Sequence, residues 1–279
     1  MKQNSLQVLR EKMVSNLAYV HPKAKIGNNV TIEPFATIYE DVVIGDDTWI
    51  GSNTTIMNGA RIGKNCRIFP GAVIAAIPQD LKFNGEYTTA EIGDHTTIRE
   101  CVTLNRGTSH SGKTTVGSHT LVMAYVHIAH DCVIGNHCIL VNSVQMAGHV
   151  LMDDFAIIGG TSALHQFTRV GTHAMVAGGS LVRKDVPPFI KAGREPLSYA
   201  GVNSLGLRRR GFSNEQIILI QDIFRVIFQK GYNTTDALKH VKNEFMPSPE
   251  RDIIINFIET SERGIIKGSN NSDKYSFEL

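Results

Sequence analysis

The sequence predicts a mainly β protein: a parallel β-helix of six-residue repeats followed by a small C-terminal α-helical domain. Three observations carry this reading. From Ile26, steps of six give nine isoleucines in one phase through Ile74, and 24 of the 27 positions up to Val182 are aliphatic or Met, far beyond chance. Four residues after many of these comes a smaller partner, as at Val30, Ala36, Ala60, Cys66, Cys132 and Ala156. Past Asp185-Val186-Pro187-Pro188 the period vanishes and helix signals replace it. A period of six fits neither the 3.6 of a helix nor plain strand alternation. It suits short strands joined by tight corners, each corner resetting the inward direction.

Taken in order, residues 1–13 form a polar N-terminal extension and 14–185 the β-helix. The three positions that break the phase, Asp80, Glu86 and His110, fall in polar, Gly-rich stretches near 75–91 and 105–115. These read as loops extruded from the scaffold, which either carry binding groups or are plain surface insertions. Residues 186–279 form the helical domain. Ser213 and Gln216 make a capping box ahead of the apolar run Ile217 to Phe228, and Gly231 stops it. Thr234 or Thr235 opens a second helix through Phe245, Ser248-Pro249 opens a third, and a polar tail follows from Gly268.

The repeat resembles that of the left-handed hexapeptide-repeat acyltransferases. The resemblance implies a left-handed triangular prism with 18 residues per coil; the handedness comes from the likeness alone. Composition then narrows the partners. Lys plus Arg number 28 and Asp plus Glu 26, a formal charge of +2, so no whole-molecule basic field favours nucleic acid. No apolar run approaches the roughly 18–20 residues of a transmembrane span, and Met1 to Leu17 lacks the apolar stretch of a signal peptide, so the expected location is cytoplasmic. Cys66, Cys101, Cys132 and Cys138 form no CxxC pair and read as reduced structural thiols.

With 18 residues per coil, residues 18 apart stack at about 4.8 Å. His119, His137 and His173 share a column that elsewhere holds Asn29, Asp47 and Asn65, a solvated corner. A second group differs. His130, Gly148 and Gln166 form one column, Asp131 and His149 the next, with His127 and His165 nearby. A histidine beside a carboxylate suits a general base, and a glycine one coil above offers a backbone N–H to an oxyanion. The alternative is a stack of hydrogen-bonded surface side chains. Metal ligation is not expected: in the zinc-binding branch of these repeats two ligands from one coil are normally separated by four residues, whereas His127 and His130 are separated by two and are followed by Asp131.

Local motifs sharpen the resemblance. His127-Ile128-Ala129-His130-Asp131-Cys132, Ala147-Gly148-His149-Val150, Asp154 to Gly160 and His165-Gln166-Phe167 resemble the acyl-carrier-protein-dependent UDP-N-acetylglucosamine 3-O-acyltransferases that begin lipid A synthesis. So do Gln79-Asp80-Leu81-Lys82, Asn105-Arg106-Gly107-Thr108 and Arg209-Arg210-Gly211-Phe212-Ser213. The resemblance implies that His130 is the general base, that Asp131 orients it, and that the Gly148 N–H helps hold the oxyanion. It places Asp80, Lys82, His127, His149, His165 and Gln166 around the sugar and acyl groups, and Asn203, Arg209 and Arg210 at the uridine diphosphate. It makes Gly178 the residue that limits acyl-chain length; Gly178 and Gly179 also fit a plain tight corner. It further implies a homotrimer with active sites between subunits, acyl carrier protein as donor with its phosphopantetheine thioester, and no other cofactor. Arg183, Lys184, Lys191 and Arg194 are candidates for guiding the acidic carrier. Leu205 departs from relatives with an acidic residue there.

Rival functions are the N-acyltransferase of the same pathway, acylation of a 3-amino sugar nucleotide, and a non-catalytic solenoid scaffold. The first normally bears an N-terminal uridine-binding domain, whereas this chain enters its repeats near the start. The His130, Asp131, Gly148 group argues against the third.

Overall fold

The computed structural model describes residues 13–268; expectations for residues 1–12 and for the tail from 269 onward lie outside the described residues. Strands 18 residues apart pair in parallel: Thr31 with Trp49 and Ile32 with Ile50 low in the stack, Ile139 with Ile157 and Leu140 with Ile158 higher up. Three sheets of twelve, nine and eight strands form the sides of one prism. Most strands are only two residues long, with the second side chain turned inward, so Ile50, Ile56, Ile68 and Ile128 are fully buried. The small partners Val30, Ala36, Cys66 and Cys138 are buried beside them, which keeps the layers level. Corners are turned by residues with positive φ, among them Asn29 at 54°, Asp47 at 58° and His137 at 55°. Asn, Asp and His tolerate that left-handed conformation better than most residues, which explains their recurrence in one column.

The two loops appear as jumps in register. Arg67 pairs with Thr97 and Thr97 with Leu121, steps of 30 and 24 where a plain coil gives 18. The extruded segments are 77–88 and 106–112, narrower than expected, because Val73–Ala76, Thr89–Ile92, Thr103–Asn105 and Lys113–Val116 at their bases pair as strands.

The segment 186–279, read from sequence as a helical domain with its first helix at Ser213, begins with two strands that the sequence reading did not include. Ile190–Gly193 continues the twelve-stranded sheet in parallel with Met175–Val176, and Ser198–Val202 pairs antiparallel to it. An unpaired edge on the last coil would leave its backbone groups without partners, and these strands cover it. Among the described residues four helices follow: α1 (Ser204–Arg209), α2 (Asn214–Gln229), α3 (Thr234–Glu244) and α4 (Pro249–Glu259). Both bonds of the Ser213–Gln216 capping box form at α2, and Ser248 caps α4. α3 opens at Thr234, and its cap is Asn233, whose side chain accepts from the Asp236 N–H. α2 packs on Ser198–Val202 through Tyr199, whose ring stacks 4.6 Å from Phe228. Buried Asp185 accepts from Arg169 N at 2.9 Å and Ser261 Oγ at 2.6 Å, tying prism to helices. Among the described residues no helix is long and apolar enough to cross a membrane. Cys66, Cys132 and Cys138 are free and buried, while Cys101 is exposed at a corner. Burial pushes the Cys132 and Cys138 thiols up to about 12, consistent with inert packing groups.

Candidate active site

His130 and Asp131 occupy the corner between the nine-stranded sheet, left at Ile128, and the eight-stranded sheet, entered at Val133. Asp131 has φ of 60°, and its N–H donates to Thr114 Oγ1 at 2.8 Å. Its carboxylate is fully buried and receives donors on both oxygens. Oδ1 accepts from Thr108 N at 3.0 Å and from Ser111 Oγ. Oδ2 accepts from Thr108 Oγ1 and from His130 Nδ1, each at 2.7 Å. Burial alone would raise the Asp131 pKa, but the bonds from Ser111, His130 and Thr108 outweigh it and hold the carboxyl well below the usual range. An ionised Asp131 fixes the His130 tautomer: Nδ1 carries the proton, leaving Nε2 with its lone pair.

One coil above, Gly148 makes room for the imidazole. A Cβ there would lie 2.7 Å from His130 Cε1 and 2.9 Å from Nε2, so any side chain displaces the ring. The next residue, His149, donates its backbone N–H to His130 O at 3.1 Å, and its Nε2 stands 3.8 Å from Asp131 Oδ2. Its ring meets His130 edge-on at 5.1 Å and His110 edge-on at 4.7 Å, and stacks on Phe167 at 4.4 Å. Burial lowers the His149 pKa and the neighbouring imidazoles of His130 and His110 add to this, while Asp131 and Asp80 oppose it. His127, half-buried on the preceding strand, bonds through Nδ1 to Thr103 Oγ1 at 2.7 Å, and burial lowers its pKa.

The remaining expected residues spread outward. His165 and Gln166 are exposed on the coil above Gly148, where Phe167 N donates to Gly148 O at 3.3 Å. Lys82 is exposed in the first loop, its N–H on Asp80 Oδ1 at 3.0 Å. Asn203, Arg209 and Arg210 do not join His130 within one chain. They lie by a different corner, that between the eight- and twelve-stranded sheets: Asn203 Nδ2 donates to His173 O at 3.0 Å, and the Arg210 guanidinium lies 4.4 Å from the Phe155 ring centroid. Arg208 and Arg209 end α1, a few residues before the start of α2 at Asn214, and Leu205 is exposed on α1. Gly178 belongs to the third corner, where an added Cβ would stand 3.2 Å from Gly160 O.

Thr108, Ser111, Thr114, His110 and Phe167 complete the site without having been singled out as site residues from sequence. His110 left a trace, since it occupies a phase position that the repeat gives to aliphatic residues. Nothing periodic announces Ser111. The nearest ligating atoms of His130, Asp131 and His149 lie within 4.8 Å of one another. Each Asp131 oxygen already accepts two hydrogen bonds, however, a donor pattern arranged for holding a proton on His130 rather than a metal.

Residues 41–76 and 113–148 match the model of bacterial transferase hexapeptide repeats, so fold and corner together define a hexapeptide-repeat transferase. Residues 185–266 match domain 2 of UDP-N-acetylglucosamine O-acyltransferase. An acyl-[acyl-carrier-protein]–UDP-N-acetylglucosamine O-acyltransferase of Janthinobacterium sp. (strain Marseille) is 46% identical over 260 residues, 91% of this chain and 99% of that one. The solved UDP-N-acetylglucosamine acyltransferase of Bacteroides fragilis is 56% identical with a TM-score of 0.90, covering 91% of this chain and all of its own. That of Arabidopsis is 31% identical with a TM-score of 0.80, covering 91% and 100%. The chain belongs to the acyl-[acyl-carrier-protein]–UDP-N-acetylglucosamine O-acyltransferase family.

Proposed function

We propose that this protein transfers a 3-hydroxyacyl group from acyl carrier protein to the 3-hydroxyl of UDP-N-acetylglucosamine, the first step of lipid A biosynthesis, with His130 as general base. Family membership supports the reaction; the observation that carries the mechanism is the buried His130–Asp131 pair with Gly148 pressed against the imidazole. His130 Nε2 takes the proton of the sugar hydroxyl as its oxygen attacks the thioester carbonyl. A C–O bond forms and the carbonyl electrons move to oxygen, where the Gly148 N–H stabilises them. Collapse breaks the C–S bond, and the imidazolium returns its proton to the leaving thiolate of the phosphopantetheine arm. Asp131 stabilises the imidazolium between the two transfers. No acyl-enzyme is required, in keeping with Cys132, the cysteine beside the pair, being buried and kept as the protonated thiol at ordinary pH.

In this reading Asp80, Lys82, His127, His149, His165 and Gln166 bind the sugar and acyl portions, and Asn203, Arg209 and Arg210 the uridine diphosphate. Those two groups occupy different corners of one chain. Between them the face of the eight-stranded sheet exposes Val133 and Leu151. A homotrimer of left-handed prisms, with the His130 corner of one protomer against the arginine corner of the next, joins them and covers that face. Gly178 leaves the groove open for a long acyl chain. Arg183, Lys184 and Arg194, with Leu181 and Pro196, line a cavity of about 440 Å³ suited to an acidic carrier; Lys191 is not part of its wall. The expected location is the cytoplasm, with no cofactor beyond the donor's own arm.

The test is a product assay by mass spectrometry with UDP-N-acetylglucosamine and a ladder of 3-hydroxyacyl-carrier proteins, beside a folded His130→Ala control. General-base help is worth about 10² to 10⁴ in rate. A monoacylated sugar nucleotide should form with wild type and fall by that factor or more in the variant. Product only with a 3-amino acceptor would replace the ester reading with an amide one, and no product from either acceptor would sink the assignment.

A further inference from the structure

From the regular coils the Asp131 carboxylate is hydrogen-bonded only by His130, with His149 Nε2 farther off at 3.8 Å. Every other donor to its carboxylate comes from the extruded segment 106–112: the N–H and hydroxyl of Thr108, and the hydroxyl of Ser111. We infer that Thr108 and Ser111 are positioning residues for catalysis, acting through Asp131 to set the tautomer and basicity of His130; this rests on the general-base reading above.

The polarity of the network is settled by its own bonds. Thr108 Oγ1 accepts from His110 N at 3.2 Å, so its single hydrogen is directed at Asp131 Oδ2. The loop backbone thereby fixes the threonine hydroxyl, the hydroxyl fixes the carboxylate, and the carboxylate fixes the imidazole. Ser111 Oγ lies between Asp131 Oδ1 and Lys113 O, 2.8 Å from the latter, and the ionised carboxylate is the stronger acceptor for its one hydrogen. Thr108 is buried, so its hydroxyl has little competition from water; Ser111 is exposed and serves as the outer member. A carboxylate with four donors spreads its charge among them. Removing two concentrates that charge on His130 Nδ1–H and strengthens its hold on the imidazolium. The titratable groups facing His130 are Asp131, His149 and, through His149, His110 and Asp80. None of these is altered by the substitutions.

The experiment compares kcat/KM against pH for wild type, Thr108→Val, Thr108→Ser, Ser111→Ala and the double variant Thr108→Val/Ser111→Ala, with His130→Ala alongside. Thr108→Val keeps the shape of the side chain and removes its donor. Loss of a hydrogen bond to a buried charge predicts a fall in kcat of about tenfold for Thr108→Val and about a hundredfold for the double variant. KM for the sugar nucleotide should stay within about twofold. The acid limb should move up by roughly half a pH unit to one unit in the double variant. Thr108→Ser, which restores the hydroxyl, should recover most of the rate and the wild-type limb. A merely structural role would lower the folded fraction or Tm and leave the acid limb of the folded enzyme in place, overturning the inference. So would wild-type kinetics in the double variant while His130→Ala is inactive. If His130→Ala itself retains full activity, the general-base reading fails first and the positioning role falls with it.

Discussion

Two corners of the prism carry histidines at corresponding positions, and only one sets an imidazole against a fully buried carboxylate. At the corner between the eight- and twelve-stranded sheets, His95, His119 and His137 stack face to face at 4.8 Å, and Phe155 and His173 continue the column. At the His130 corner, Asp131, His149 and Phe167 share the same left-handed backbone, with φ of 60° to 62°. The repeat therefore supplies imidazoles in fixed positions at both. What differs is what breaks the repeat. The first column has like rings on like rings and no buried carboxylate among its stacked rings. The second replaces one ring by Asp131, deletes the side chain at Gly148, and lies under a loop that brings hydroxyls onto the carboxylate. Stacking alone makes a stiff edge; a buried carboxylate, a gap and donors from a loop hold the His130 imidazole in one tautomer.

The comparison breaks most sharply at the gap. Gly148→Ala places a methyl 2.7 Å from His130 Cε1, and the ring cannot yield without losing its 2.7 Å bond to Asp131. Displacement of a catalytic group by about 1 Å costs on the order of 10² in rate, so kcat in the product assay should fall by roughly that factor. Full activity in Gly148→Ala would show that the ring does not work from this position.

The next effect belongs to the stiff corner and reads in stability rather than rate. Burial lowers the His173 pKa to about 4, with help from nearby Arg210 and against the pull of Asp154. A depressed folded pKa means that the unfolded chain binds the proton first. The stabilisation is complete above about pH 6.5 and is lost as pH falls towards about 4. His173→Phe retains a ring for the column and removes the titration. Its Tm should fall less steeply than wild type between those two pH values and match it above pH 7. Parallel Tm curves would mean that another group governs the acid sensitivity of this corner.

Much of this was legible in sequence because a period of six repeats one decision many times. Each isoleucine from Ile32 to Ile74 confirms the phase of the others, and the column rule then puts His130 beneath Gly148 without any coordinate. The capping box at Ser213 was equally plain, since it is a local contest between side chain and backbone. The strands at Ile190–Gly193 and Ser198–Val202 were not, because their cause is the open edge of the last coil, a tertiary need with no periodic trace. The same holds for Ser111, whose position on Asp131 depends on how an aperiodic loop folds back. The opening of α3 at Thr234 was legible too, while its cap, Asn233, was passed over although asparagine outranks threonine in that role.

The smallest effect is the sharpest control. His137 is stacked on both sides, by His119 and Phe155, each at 4.8 Å. His137→Ala removes two ring contacts from a half-buried corner. Aromatic pairs are worth about 0.5–1.5 kcal/mol beyond burial, and partial exposure reduces this, so Tm should drop by only about 2 °C. kcat/KM should remain within about twofold, because neither Asp131 nor Gly148 touches this column. A large loss of activity with Tm unchanged would erase the distinction between the corners: the stacked column would then have to contact substrate, through the neighbouring Arg210 or across a subunit boundary. An unchanged rate with a small fall in Tm would leave His130 and His137 as the same residue type, at corners of one repeat, separated in function by a buried carboxylate and a missing side chain.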